Sequence, residues 1–191
     1  MRFMRYFGLI PAALLLASTH VAAQGIFDPL PVVSAGGTVI GPDGSFYALL
    51  PGANSTFQNP STDLVAVGVG GAASSTPKWT ATLTGRVGQV LPGSTTVFVV
   101  ETTTSGSGRN TVSTTAIALY SAATGAKQST SISPAGPIVD IQVRNIGGSD
   151  YLYVYTISSA SSTAGGTTTF TTMRTLTVYT ATGTVFETVP L

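Results

Sequence analysis

The chain has 191 residues, of which only 8% are charged, a formal net charge of +1 and no cysteine. A net charge so close to zero argues against nucleic-acid binding, which depends on a positively charged surface. The lack of cysteine excludes disulfides, thiolate metal sites and a cysteine nucleophile. Hydroxyl residues are abundant instead, with 31 Thr and 20 Ser. The scarcity of Glu, Lys and Arg argues against long solvated helices.

Residues 1–23 have the three parts of a signal peptide. Arg2 and Arg5 form a positive start, Gly8–Ala17 an apolar core and Val21–Ala23 a small-residue cleavage site. The apolar run is too short to span a membrane. We therefore expect cleavage before Gln24 and export to the periplasm, the cell surface or the medium. The mature chain would then have a net charge of −1, no membrane-spanning segment and no histidine, and residues 24–35 would form a linker.

From residue 36 onward, apolar residues recur with a period of two in short runs bounded by Gly, Pro, Ser and Asp, which is typical of β-strands. The runs fall into three units of about 50 residues, with four predicted strands each. In the first unit, 36–85, the strands are 36–40, 46–50, 64–67 and 78–83. In the second unit, 86–135, they are 87–91, 97–100, 116–120 and 127–132. In the third unit, 136–191, they are 138–143, 151–156, 175–179 and 185–189. We predict an all-β, incomplete β-propeller-like array of about three four-stranded antiparallel blades.

In each unit, a long loop is predicted between the second and third strands, at about 51–62, 103–114 and 158–171. The Ser/Thr/Gly composition of the second and third loops indicates flexibility. Loops on one side of a repeat scaffold either form a binding face, to which Arg109 would belong, or are tolerated insertions. Asn54 begins a glycosylation sequon, which matters only in a eukaryotic secretory route.

Two turn sequences carry a family resemblance. The segments 118–127 (ALYSAATGAK) and 178–184 (VYTATGT) resemble the turn between the outer strands of pyrroloquinoline-quinone-type β-propeller repeats, and 42–49 (PDGSFYAL) resembles their inner hairpin. The resemblance, to a quinone-type or WD-type repeat, covers about 36–191. Quinoproteins of this kind bind a quinone and calcium through dedicated side chains, none of which can be matched here. We therefore expect the propeller repeat without a cofactor, a metal or the redox activity.

Three blades do not obviously close into a ring, because propellers usually have four to eight. Each unit needs neighbours to cover its faces. The chain would therefore be a truncated relative of a longer family, associate as a homo-oligomer that completes the array, or pack its sheets in some other way. We favour association or truncation.

The sequence offers little for catalysis. Without histidine there is no Ser-His-Asp triad and no ordinary general base. Among the carboxylates, Asp140 and Glu101 stand out because they lie in or beside strands. A solvated position for Glu101 and an ion pair between Asp140 and Arg144 are the simpler interpretations, and the turn residues Asp43 and Asp150 are explained by hydrogen bonds to the backbone. We expect no catalytic residues.

Aromatic residues are the better candidates for binding. Trp79, the only tryptophan, is interpreted as a packing residue or as a residue that stacks on a ligand. Tyr151, Tyr153 and Tyr155 share one face of a strand, as an aromatic ladder or as a binding strip. The preferred hypothesis is an exported, non-catalytic β-repeat module that binds a protein or a surface polymer. The alternatives are a self-associating structural component of the cell surface and an inactive truncated relative of a quinoprotein-like propeller.

Overall fold

A computed structural model describes most of the predicted repeat region. The described residues are 38–52, 55, 61–68, 77–83, 86–106 and 111–191. The predicted signal peptide and linker, the sequon residue Asn54 and Arg109 lie outside them.

The described residues form twelve strands and no helix, arranged as three separate four-stranded antiparallel sheets. In each sheet the strands follow one another in chain order. Sheet 1 contains β1 (Thr38–Ile40), β2 (Phe46–Pro51), β3 (Thr62–Val67) and β4 (Trp79–Leu83). Sheet 2 contains β5 (Arg86–Pro92), β6 (Thr96–Ser105), β7 (Val112–Ser121) and β8 (Lys127–Ile132). Sheet 3 contains β9 (Ile138–Ile146), β10 (Ser149–Ala164), β11 (Thr167–Thr180) and β12 (Val185–Pro190). The prediction of three blade-like four-stranded units is confirmed.

The sheets stack in chain order, with sheet 2 in the middle. We call the side of a sheet that faces the next sheet along the chain its forward face, and the opposite side its rear face. One core cluster joins the forward face of sheet 1 to the rear face of sheet 2, including Tyr47, Leu49, Val97, Val99 and Tyr120. A second cluster joins the forward face of sheet 2 to the rear face of sheet 3, including Phe98, Leu119, Leu152, Val154 and Tyr179.

Strand alternation explains this arrangement, because successive side chains of a strand point to opposite faces of its sheet. In β6, Val97 and Val99 contribute to the first cluster and Phe98 to the second. Sheet 2 is therefore apolar on both faces, as a layer between two others must be. The first strands of neighbouring sheets are also in contact, β1 with β5 and β5 with β9.

The prediction of a loop at 158–171 is wrong. These residues continue β10 and β11, which pair in unbroken register from Tyr151↔Thr180 to Ala164↔Thr167. Gly165 and Gly166 make the turn, with φ of 58° and 78°. Two glycines suit a two-residue hairpin turn, and threonine favours extended backbone because it is β-branched. The Ser/Thr composition therefore supports a hairpin rather than a loop.

The same correction applies to the described part of the second predicted loop. Thr103–Ser105 pair with Val112–Thr114 and lengthen the hairpin of β6 and β7. Hydroxyl pairs line this extension, such as Thr104 and Ser113, whose side-chain oxygens lie 3.4 Å apart.

Candidate functional site

Among the described residues, no sheet lies in front of the forward face of sheet 3. In β10, Leu152 and Val154 point towards sheet 2 and are buried, so Tyr151, Tyr153 and Tyr155 point the other way. The three tyrosines are partly exposed. Their shared face agrees with the alternation read from the sequence.

A row of polar residues on β9 lies beside the tyrosines. Arg144, Gln142 and Asp140 are the cross-strand partners of Tyr151, Tyr153 and Tyr155 in turn. The Asp140 carboxylate accepts a hydrogen bond from the Ile141 backbone N–H (2.8 Å) and one from the Gln142 side-chain amide (3.3 Å). The face therefore combines aromatic rings with a polar margin.

Phe186 extends the aromatic surface at the outer edge of the sheet. An irregularity between Val178 and Tyr179 interrupts the pairing of β11 with β12 at this point. The Phe186 ring packs edge-on against Tyr151, with the ring centres 5.3 Å apart and the planes at 67°. Phe186 is nevertheless 63% exposed. We define the forward aromatic face as Tyr151, Tyr153, Tyr155 and Phe186.

Trp79 does not belong to this surface. It is only 7% exposed and packs between sheets 1 and 2, with its ring centre 5.8 Å from that of Tyr47. Its indole Nε1–H donates a 2.9 Å hydrogen bond to the Ala122 carbonyl in the turn between β7 and β8. In this position Trp79 has the packing role, and its ring is not open to a ligand.

Glu101 is not at a solvated strand end, contrary to the simpler interpretation of the sequence. It is buried and accepts a 3.2 Å hydrogen bond from the Tyr120 hydroxyl, and the Lys127 ammonium lies 3.5 Å from its other oxygen. Burial, followed by the nearby Glu101 carboxylate, raises the pKa of Tyr120. Asp140 has different partners on the forward face of sheet 3, so the structure does not bring the two carboxylates together as a catalytic pair.

Asp150 is a residue whose importance the sequence does not reveal. It is 1% exposed and reaches from the start of β10 into the turn between β5 and β6. Its carboxylate accepts hydrogen bonds from the backbone N–H groups of Ser94 (3.0 Å), Thr95 (2.7 Å) and Thr96 (3.2 Å). The Thr95 hydroxyl (2.8 Å) and the Asn145 amide (2.9 Å) complete the set. Asp150 therefore fastens sheet 3 to sheet 2.

The described residues also form an open cleft of about 520 Å³ between sheets 2 and 3, lined by residues that include Gln89, Thr102 and Val139. Within the same residues, no group of three or more acidic or histidine side chains is placed to hold a metal ion. Nor does the described part of the chain include a helix with the length and apolar character needed to cross a membrane.

The comparisons with known proteins do not assign a family. The sequence matches no protein-family model, and searches of curated proteins and of solved structures return no similar protein. The resemblance to quinone-type repeats therefore stays a prediction.

Proposed function

We propose that this protein is an exported, non-catalytic β-repeat module that docks a partner protein on the forward aromatic face. One observation carries the proposal. The forward faces of sheets 1 and 2 are covered by the next sheet, whereas on the forward face of sheet 3 the three tyrosines are partly exposed and Phe186 is 63% exposed.

The chemistry of the face supports a protein partner. Tyrosine and phenylalanine are enriched at protein interfaces, and tyrosine adds a hydroxyl that can hydrogen-bond at the edge of an apolar contact. On β9, the partly exposed Asp140 and Arg144 resemble the polar rim that surrounds the apolar centre of an interface, whereas Gln142 between them is buried. Export is supported by the signal-like pattern of residues 1–23.

Photo-crosslinking in the source cells tests this function. A photoreactive phenylalanine analogue replaces Tyr153 in the forward aromatic face or, as the control, Phe170, which is 76% exposed on the hairpin of β10 and β11. We expect a discrete protein adduct from position 153 and none from position 170. Mass spectrometry then identifies the adduct.

Two results would contradict the proposal. Equal labelling at both positions would show that the face is merely accessible. A position-153 adduct that carries polysaccharide instead of protein would favour a surface polymer as the ligand.

A further inference from the structure

We propose that the partner is a second copy of this chain, joined head to tail, with the forward face of sheet 3 on the rear face of sheet 1. This inference rests on the proposed docking function and names its partner.

Both junctions within the chain have the same construction. At the first, Trp79 of β4 packs over the turn between β7 and β8, where a Cβ atom on Gly125 would lie 2.5 Å from the indole. At the second, Thr130 and Ile132 of β8 pack against Gly183 in the turn between β11 and β12. In each case, the last strand of one sheet contacts the turn between the third and fourth strands of the next sheet, which we call its outer turn.

Sheet 3 carries the forward half of such a junction. In sheet 1, Trp79 on the last strand packs against Tyr47 on the second strand. In sheet 3, Phe186 on the last strand packs against Tyr151 on the second strand. The two aromatic pairs differ in exposure, 7% for Trp79 and 63% for Phe186, because sheet 2 covers only the first pair.

Sheet 1 supplies an exposed apolar face for the other half. Its rear face exposes Ile40, Phe46 and Leu50, which share one side of the sheet because Ile40 pairs with Phe46 and β2 alternates. The matching face of sheet 2 has Val97 and Val99 fully buried by sheet 1.

A second copy is favoured because one chain supplies both unlike halves of the contact. Such a contact is heterologous, and it forms a closed ring only if the rotation between copies permits. Two copies would bring together six sheets, a number within the usual range of four to eight for closed arrays. Each copy would then cover the exposed faces of the other.

The test compares three exposed phenylalanines. Light scattering and sedimentation equilibrium measure the mass of the purified wild type and of the F186D, F46D and F170D variants. We expect a dimer for the wild type and for F170D, and monomers for F186D and F46D because each places a charge in the junction. Circular dichroism and Trp79 fluorescence check that every variant is folded.

Mixing the two monomeric variants tests the direction of the contact. A mixture of F186D and F46D retains one intact junction, formed by sheet 3 of F46D and sheet 1 of F186D, so we expect a heterodimer. If F186D abolished dimerisation and F46D did not, the contact would be sheet 3 against sheet 3 and the head-to-tail inference would be wrong. A series of larger oligomers would overturn closure by two copies.

The outcomes also separate this inference from the proposed function. A monomeric wild type whose position 153 crosslinks to a different protein would overturn self-association and retain docking. A monomeric wild type with no adduct at position 153 would overturn both.

Discussion

Asp150 shows how one side chain can join two sheets. Burial alone would raise the pKa of this carboxyl group. The hydrogen bonds from Asn145 and from the Thr95 and Ser94 backbone outweigh that effect and hold the pKa below its ordinary value. The charged form of Asp150 is therefore the form that stabilises the fold.

Acid should weaken this contact in a defined direction. Because the pKa of Asp150 is lower in the folded than in the unfolded chain, its contribution is present above the unfolded value of about 3.9 and is lost as the pH falls through the folded value. We expect D150N to lower the free energy of unfolding by about 2–3 kcal/mol at pH 7, since hydrogen bonds to charged groups are lost. The difference in unfolding free energy between D150N and the wild type should become smaller towards pH 2. Urea unfolding across this pH range measures both effects.

Asp43 provides the matched control. It lies in the turn between β1 and β2, and its carboxylate accepts hydrogen bonds from the Ser45 N–H and hydroxyl, but it is exposed and lies 3.4 Å from the Lys78 ammonium. We expect D43N to cost about 1 kcal/mol or less, because the contact is local and solvated. Equal losses for D43N and D150N would contradict the role of Asp150 in joining the sheets.

At the scale of the element, the turn between β7 and β8 fits Trp79 closely. Gly125 has a φ of 70°, and an added Cβ would lie 2.5 Å from the indole. Gly147 has a similar φ of 59°, with nothing within 4 Å of the added Cβ. We expect G147A to cost about 1–2 kcal/mol for backbone strain and G125A to cost at least about 2 kcal/mol more for overpacking. Urea unfolding measures the free energy of unfolding of both variants. Similar decreases would mean that the turn can shift to accept the added methyl group without disturbing Trp79.

The outer part of the β10–β11 hairpin should be the least protected strand pair of sheet 3. The last paired residues of β9 and β12 lie opposite Thr156 and Thr175, so the described part of the hairpin beyond them has no strand on either side. A two-stranded ribbon alone is marginally stable. We expect its amides at 159–172 to exchange about a hundredfold faster than those at 151–156, measured by hydrogen exchange. Equal protection would show that something covers the ribbon.

The elements illustrate what the sequence can and cannot predict. Period-two alternation was enough for the twelve strands and for the shared face of Tyr151, Tyr153 and Tyr155. It did not predict the outer hairpin, because Ser/Thr/Gly composition is common to loops and exposed ribbons. The burial of Glu101 and the contacts of Asp150 could not be predicted from the sequence either. Both depend on residues that are distant in sequence and become neighbours only when the sheets stack.

At the scale of the whole molecule, sheet 2 should couple the unfolding of sheet 1 to that of sheet 3. Phe98 is fully buried at the second junction, whereas Trp79 lies at the first. We expect F98A to lower the stability by about 3–5 kcal/mol and to shift the urea transition seen by Trp79 fluorescence. F170A, at an exposed position, should leave that transition in place. If F98A left the Trp79 signal unchanged, the sheets would unfold separately, as weakly coupled repeats do.

The stack of sheets also has a direction, because both junctions place the last strand of one sheet on the outer turn of the next. The two ends of the molecule are therefore unlike, as are the two ends of a cytoskeletal filament. If two copies join head to tail, a variant with one damaged end can still form one of the two junctions with a wild-type copy but cannot close the ring. Expressed together with the wild type, such a variant would hold wild-type copies in open pairs and would be dominant over it.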